Sequence, residues 1–384
     1  VKSEGDFDFL YNLMQTTSLK ELAKLFLKLG TIAFGGPAAH IAMMQKEVVE
    51  KKKWMTEEHF LDLIGATNLI PGPNSTEMAI QIGRERAGLK GLLVAGFCFI
   101  VPAVIITSVF AYLYKQYGQL PTTQVFIYGI KPAIISIIIA AVYPLAKKAF
   151  KSIELIIIGV LALAACFLGV NELIVLFGSG IILLLLSAIR SSNKLNSVIP
   201  LLLLKSSSYF NSTDLKLFLS FLKIGSILYG SGYVLFAFLD EELVANGLLS
   251  RQQLIDAIAV GQFTPGPVFS SVTFIGYQIS GWSGAIVSTV GVFLPSFLFV
   301  WLLNPLVPKM RASKLFSAFL DAVNVASVVI IIYACYLMGK DSINDWRTVL
   351  IAIISIVVTF SFKKINSVFI VVGGSLLGYV LSLL

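Results

Sequence analysis

Two Pro-Gly-Pro triplets, Pro71-Gly72-Pro73 and Pro265-Gly266-Pro267, stand out as the residues best suited to chemistry, each inside an apolar stretch. A helix cannot pass through such a triplet, because proline lacks an N–H and its ring clashes with the preceding turn. A helix restarting at Pro73 would leave the amides of Asn74, Ser75 and Thr76 without acceptors. After Pro267 the chain reads Val268, Phe269, Ser270, Ser271. Free helix N-termini combine unpaired N–H groups with the positive end of the helix dipole, so they suit anions. A plain packing break explains one triplet as well as a binding role does; two triplets at matched positions favour binding. Glu77 falls in the first turn after Pro73 and reads either as a cap or as a protonatable group, with Ser271 in its place in the second half.

Lys131 lies well inside an apolar segment, in Gly129-Ile130-Lys131-Pro132. A charge there costs ~3 kcal/mol on insertion scales, so it must be paired or face a cavity. It either pairs with Asp321 (or reaches outward to the interface) or attracts an anionic substrate. Val323 is its expected counterpart in the second half. Gly35-Gly36-Pro37 and Gly230-Ser231-Gly232 interrupt the first segment of each half, where glycine permits unwinding or close helix approach. Lys28 and Lys223 match across the halves, and Asp62 and Asp256 read as caps or anchors of the hairpin helices.

Other chemistries lack their parts. His40 and His59 are the only histidines, and no HExxH pair or phosphate-binding glycine loop exists. Cys98, Cys166 and Cys335 lie in apolar runs without ligand spacing, which suits small buried hydrophobes. No enzyme, cofactor or metal is called for. The net charge of +8 comes from short basic clusters between apolar runs, the pattern of membrane loops and not of a nucleic-acid binder. Glu4, Asp6 and Asp8 replace the basic region a signal peptide would show.

The elements that must position these residues are membrane spans. With 57% hydrophobic and 13% charged residues and a mean hydropathy of +0.87, the chain has about half the charge of a soluble domain. Apolar runs predict spans near 88–114, 124–146, 153–170, 172–189, 281–304, 315–338, 346–361 and 366–384. The segments 20–45 and 215–239 are long enough but carry lysines and glycine-rich middles. The stretches 58–83 and 252–277, broken by the triplets, read as hairpins that enter and leave on one side. Such backbone survives at depth only within protein or beside water.

The halves repeat each other. Phe26-Leu27-Lys28 matches Phe221-Leu222-Lys223 and Glu47 matches Glu242; after one residue is lost Asp62 matches Asp256 and the triplets match, and after a second loss Gly88 matches Gly281 and Pro102 matches Pro295. This divides the chain into a tail (1–19), a first repeat (20–190), a linker (191–214) and a second repeat (215–384). The charge bias of the halves is opposite, which predicts that they lie inverted. Nineteen lysines and arginines then fall in 46–53, 84–90, 147–151, 190–216, 309–314 and 363–364, against five (Lys2, Lys115, Arg251, Lys340, Arg347) on the other side. The expected fold is an all-α polytopic membrane protein of two inverted-topology repeats. It has about ten transmembrane helices plus two re-entrant hairpins, with both termini outside. The orientation of 20–45 is left open. Inverted repeats are the architecture of secondary transporters.

The run Phe34-Gly35-Gly36-Pro37-Ala38-Ala39-His40, then Glu47, Trp54 and Pro71-Gly72-Pro73-Asn74, resembles the first domain of chromate ion transporters. Tyr229-Gly230-Ser231-Gly232-Tyr233, Thr264-Pro265-Gly266-Pro267 and Ile275-Gly276-Tyr277 resemble the second, although Tyr229 and Ser231 depart from the family's usual Phe-Gly-Gly-Gly-Tyr. The resemblance spans about 20–384. It implies a multi-pass cell-membrane protein that expels chromate, with sulfate, another inorganic anion or an anion channel as alternatives. The expected substrate-binding set is Gly35, Gly36, Pro37, Pro71, Gly72, Pro73, Asn74, Lys131, Gly230, Gly232, Pro265, Gly266 and Pro267. The expected partners are a chromate- or sulfate-like anion and the lipid bilayer, with no nucleic acid and with room for a homo-oligomer.

Overall fold

The computed structural model describes residues 17–34, 36–118, 120–191, 212–229, 234–303, 310, 313–362 and 365–383. These residues are helical in both halves, in the same order. The first half has α1 (Leu19–Ile32), α2 (Gly36–Gln45), α3 (Glu57–Thr67), α4 (Asn74–Tyr117), α5 (Pro121–Ala149), α6 (Ile153–Phe167) and α7 (Glu172–Ser191). The second has α8 (Thr213–Ile227), α9 (Val234–Leu239), α10 (Arg251–Phe263), α11 (Ser271–Leu303), α12 (Lys314–Ser342), α13 (Trp346–Ser361) and α14 (Ser367–Ser382). A π-helical turn follows α2 (Lys46–Lys51) and α9 (Asp240–Val244), and a 3₁₀ turn (Val268–Ser270) precedes α11.

Local signals set these bounds. Ser18, Thr56, Ser152, Ser212, Ser250, Ser313, Asp345 and Asn366 each cap a helix by accepting a backbone N–H in its first turn. The caps of α3 and α10 are thus Thr56 and Ser250, not Asp62 and Asp256. Within α4 the helix breaks at Ala87 and Gly88 (φ +59°), and within α11 at Ser280 and Gly281 (φ +67°). Glycine is needed at both corners, because the left-handed region disfavours a Cβ. Behind each corner the arms fold together. A Cβ on Gly83 would meet the Gly91 carbonyl oxygen at 2.3 Å, and one on Gly276 would meet that of Gly284 at 2.2 Å.

Five helices among the described residues are long and apolar enough to cross a membrane: Asn74–Tyr117, Gln124–Ala149, Glu172–Ile189, Val268–Leu303 and Lys314–Ser342. Leu89, Leu93, Phe97, Val101, Ile105 and Val109 form an exposed stripe along α4 at four-residue spacing, a surface that hydrocarbon covers and water does not. The molecule is an integral membrane protein. The segments expected at 153–170, 346–361 and 366–384 form shorter apolar helices of 15, 16 and 16 residues. Segments 20–45 and 215–239 are not single helices. The first breaks before Gly36 (φ +80°), where Pro37 restarts the chain, and the second ends α8 at Ile227.

The halves interlock instead of sitting side by side. α5 packs on α14, α12 on α7, and α4 on α11. Gly129 of α5 lies against Gly374 and Gly378 of α14, where a Cβ would come within 2.1 Å of the Gly374 oxygen. Small residues let these backbones approach as membrane helices do.

Candidate functional site

The two triplets meet the opposite half reciprocally. The Gly72 N–H donates to the carbonyl of Leu228, at the end of α8, over 2.8 Å; the Gly266 N–H donates to that of Ala33, at the end of α1, also over 2.8 Å. A Cβ on Gly72 would lie 2.7 Å from Ser296 Oγ of α11, and one on Gly266 2.8 Å from the Ala103 Cβ of α4. Ser296 and Ala103 each directly follow the proline inside their helix, Pro295 and Pro102. Both glycines have positive φ, +138° and +85°, so the turns depend on them. Each hairpin therefore seats its tip on the broken first segment and the kinked long helix of the other half, as two-fold related parts do.

The helix starts are less open than the sequence implies. Thr76 N–H donates to the Pro73 carbonyl at 2.8 Å and Ser270 N–H to that of Pro267 at 2.9 Å. The first turn consumes those amides, which leaves Asn74 and Ser75 on one side and Val268 and Phe269 on the other without an intrahelical acceptor. The Asn74 side chain donates to Asn68 Oδ1 at 2.8 Å and ties the turn to the end of α3. Polar side chains crowd the first start: Ser75, Thr76, Glu77 and Gln81 are all buried. His40 of α2 sits between Ser75 Oγ (3.2 Å) and the Ala33 carbonyl (3.1 Å). Across the molecule, Thr107 of α4 donates to Ser270 at 3.3 Å.

Glu77 is not the cap of α4, since Pro73 holds that position. Its carboxyl turns back onto the triplet, where a Cβ on Gly72 would lie 2.3 Å from Oε1. It is fully buried, and neither oxygen has a hydrogen-bond partner. The sequence signals its place by position in the first turn, but not its isolation.

Lys131 does not pair with Asp321, which bonds Lys151 at 2.8 Å. Its ammonium lies 3.8 Å from Asp256 of α10, whose other oxygen accepts from Tyr114 at 2.6 Å. Asp256 thus ties α10 to α4 and α5. The counterpart of Lys131 is also displaced by one: α5 and α12 are both 29 residues long with bounds 193 apart, so Lys131 matches Asn324, not Val323. Lys28 pairs with Glu47 at 2.9 Å, and Lys223 pairs with Glu242 in the same way.

Pro71, Gly72, Pro73 and Asn74 thus form one turn and Pro265, Gly266 and Pro267 the other, both in contact with the segment breaks. Gly36 and Pro37 open α2 beside Ala33. Lys131 stands apart, with Asp256. Gly35, Gly230 and Gly232, with Ser231, lie outside the described residues. A cavity of about 310 Å³ between α4, α5, α10 and α14 is lined by Phe110, Ile130, Val260 and Leu376 among others. That wall suits hydrocarbon better than an anion, and no triplet residue belongs to it.

The chain matches the family model of the chromate transporter twice, over residues 20–184 and 215–379. It is 32% identical to a chromate transport protein of Cupriavidus metallidurans over 95% of this chain and 94% of that one. It is 30% identical to a probable chromate transport protein of Synechococcus elongatus over 98% of both. An uncharacterized transporter of Bacillus subtilis, YwrA, is 25% identical over 35% of this chain and 77% of its own length, in keeping with a duplicated unit. No solved structure matches the chain.

Proposed function

Because the chain belongs to the chromate transporter family, a transport family, we propose that it is a secondary transporter of a tetrahedral oxyanion that expels chromate across the cell membrane. Its halves, 20–190 and 215–384, would lie inverted as five spans and one re-entrant hairpin each, and rock to give alternating access. The observation that carries this reading is the reciprocal seating of the triplets. Each hairpin tip rests on the opposite half, so relative movement of the halves must rearrange both helix starts together. The opposite charge bias of the two sets of loops supports inversion.

In this proposal the anion binds between the helix starts after Pro73 and Pro267. The turns Pro71-Gly72-Pro73-Asn74 and Pro265-Gly266-Pro267 are its walls, with Gly36 and Pro37 beside them, and Gly35, Gly230 and Gly232 complete the proposed set. Lys131 acts at a distance. It holds α10 through Asp256, so an anion that drew the ammonium away would loosen that hairpin.

The test is chromate flux in proteoliposomes under a controlled membrane potential, with sulfate as competitor. Chromate movement against its gradient driven by sulfate leaving on the other side, with the potential clamped at zero, is the expected result and separates a carrier from a channel, through which only the potential would drive the anion. Lys131→Ala and the double change Gly72→Ala with Pro73→Ala should each cut flux by at least tenfold in folded protein. Normal flux in both would remove this site, and no chromate or sulfate flux in the wild type would remove the oxyanion reading.

A further inference from the structure

Glu77 is a fully buried carboxyl at the proposed oxyanion site with no counter-ion. Neither of its oxygens has a hydrogen-bond partner, and no ion pair reaches it among the described residues. The groups around it give it no charge to lean on. α11 contributes the Ser296 hydroxyl, and the end of α8 contributes the phenol of Tyr229. From α2, His40 is engaged with Ser75 and the Ala33 carbonyl; on its own helix, Arg84 is turned away to the Val300 carbonyl at 2.6 Å. An isolated ionised carboxylate in such surroundings is costly, so the site favours the neutral carboxylic acid.

Its position gives that proton a use. The carboxyl points back at Gly72, into the same turn whose free amides would face the anion. As a carboxylate it would repel a dianion and compete for the helix start. As a carboxylic acid it removes the repulsion and can donate a hydrogen bond to an oxygen. Thr76 Oγ1 and both polar atoms of Gln81 are also buried without partners on this helix. Polar capacity beyond what the protein itself uses is therefore concentrated there.

We propose that Glu77 is the proton carrier of the transport cycle, so that the oxyanion and one proton bind together at the first triplet and cross together. This rests on the oxyanion reading given above. Charge balances simply: a proton from the side of loading neutralises the Glu77 carboxylate, the dianion enters, and both leave on the other side. The net movement is one negative charge per cycle. A membrane potential, inside negative, would therefore still drive the anion outward.

The experiment measures protons and sulfate together in proteoliposomes holding a pH-sensitive dye, with sulfate as probe because its charge is constant across the neutral range. The wild type should move one proton with each sulfate, in the same direction. Glu77→Gln should move sulfate with no proton. Sulfate movement in the wild type without protons, or an unchanged proton ratio in Glu77→Gln, overturns the proposal. If Glu77→Gln carries no sulfate, Glu77→Asp decides. Its sulfate flux should follow a pH profile displaced from the wild type, and superimposable profiles overturn the idea. Absence of all chromate and sulfate flux in folded wild type would instead strike the oxyanion reading and take this inference with it.

Discussion

The two Pro-Gly-Pro turns share a backbone but not a chemistry. The first is followed by Asn74, Ser75, Thr76 and Glu77 and faces Ser296; the second is followed by Val268, Phe269, Ser270 and Ser271 and faces Ala103. Thr107 of α4 bonds Ser270, whereas Val300 occupies the matching place on α11 and leaves the Thr76 hydroxyl without a partner. The Lys131–Asp256 pair is likewise one-sided, since the matching residues are Asn324 and an exposed Asp62. Duplication supplied a symmetric frame: reciprocal glycine bonds, matched corners and matched helix prolines. Divergence then moved the buried acid and the unsatisfied polar atoms to one turn and the buried ion pair to the other hairpin. On the proposed transport reading, the symmetric frame would permit two equivalent end states, and the asymmetric lining would let one site carry the chemistry.

The comparison can be broken most forcefully at Asp256. Removing it leaves the Lys131 ammonium and the Tyr114 hydroxyl without their partner inside the protein. Loss of one member of a buried pair costs about 3–5 kcal/mol. Asp256→Ala should therefore lower the Tm in detergent by many degrees, while Asp62→Ala, at an exposed position where solvent screens its interactions, should cost no more than about 1 kcal/mol. Replacing both partners (Lys131→Met with Asp256→Leu) should recover much of the loss, because the uncompensated charge goes with them. Equal effects at the two aspartates would mean that the hairpins are held in the same way.

Much of the frame is legible in the sequence, because backbone breaks need particular residues. The triplets, Gly88 and Gly281, and the internal prolines each announce their geometry, and their repetition gives the duplication. The side-chain partnerships are not legible. Both Asp256 and Asp321 belong to the other half; Lys131 meets Asp256 because α10 packs on α5 at that level while Lys151 holds Asp321, and nothing local in the sequence reports which helix lies there. The register slip between Val323 and Asn324 has the same origin: gaps in the repeat are settled by whole helices, not by single matched letters. Thr76 and Ser270 lose their amides to the first turn, a detail of 3₁₀ geometry below the resolution of a spacing argument. Glu77 was visible as an acid in a first turn, but only packing reveals that it has no partner.

A second pair of variants sharpens the comparison at the glycine tips. Gly266→Ala brings a methyl to 2.8 Å from Ala103 Cβ and 3.1 Å from the Gly30 carbonyl, neither of which can swing away. Overpacking of this kind costs about 1–3 kcal/mol, and the positive φ adds strain. Gly72→Ala meets side-chain atoms of Glu77 and Ser296 instead. Those can rotate, but the φ of +138° strains any Cβ there as well, so both variants should lose stability while flux falls more in Gly72→Ala. Thermal melts and flux measured on the same preparations would separate the two effects.

A smaller contrast lies in the hydroxyls. Thr107→Val removes a donor and strands the Ser270 hydroxyl, which should cost about 1 kcal/mol. Thr76→Val removes a buried hydroxyl that bonds nothing, so it should be neutral or slightly stabilising. A loss of flux in Thr76→Val at unchanged Tm would mark that hydroxyl as an anion contact. Matched losses of stability in both would show that the turns are less different than their bonding suggests.

The least effect belongs to the element the halves share most closely, the Lys28–Glu47 and Lys223–Glu242 pairs. Lys28 and Lys51 both bond Glu47 and hold its carboxyl below the usual carboxylate range, with Lys51 the larger influence. A carboxyl depressed on folding contributes stability that is present above its unfolded value and disappears as pH falls through the folded one. The contribution of this trio should thus persist at neutral pH and vanish only on the acid side of 4.5, the ordinary glutamate value. Both lysines are about half exposed, so solvent screens the pairs and Glu47→Gln should cost no more than about 1 kcal/mol at neutral pH. The difference in Tm between Glu47→Gln and wild type should close as the pH is lowered. A gap that widens toward acid would reverse the sign and mean that the carboxyl is strained by its surroundings, not held by its lysines.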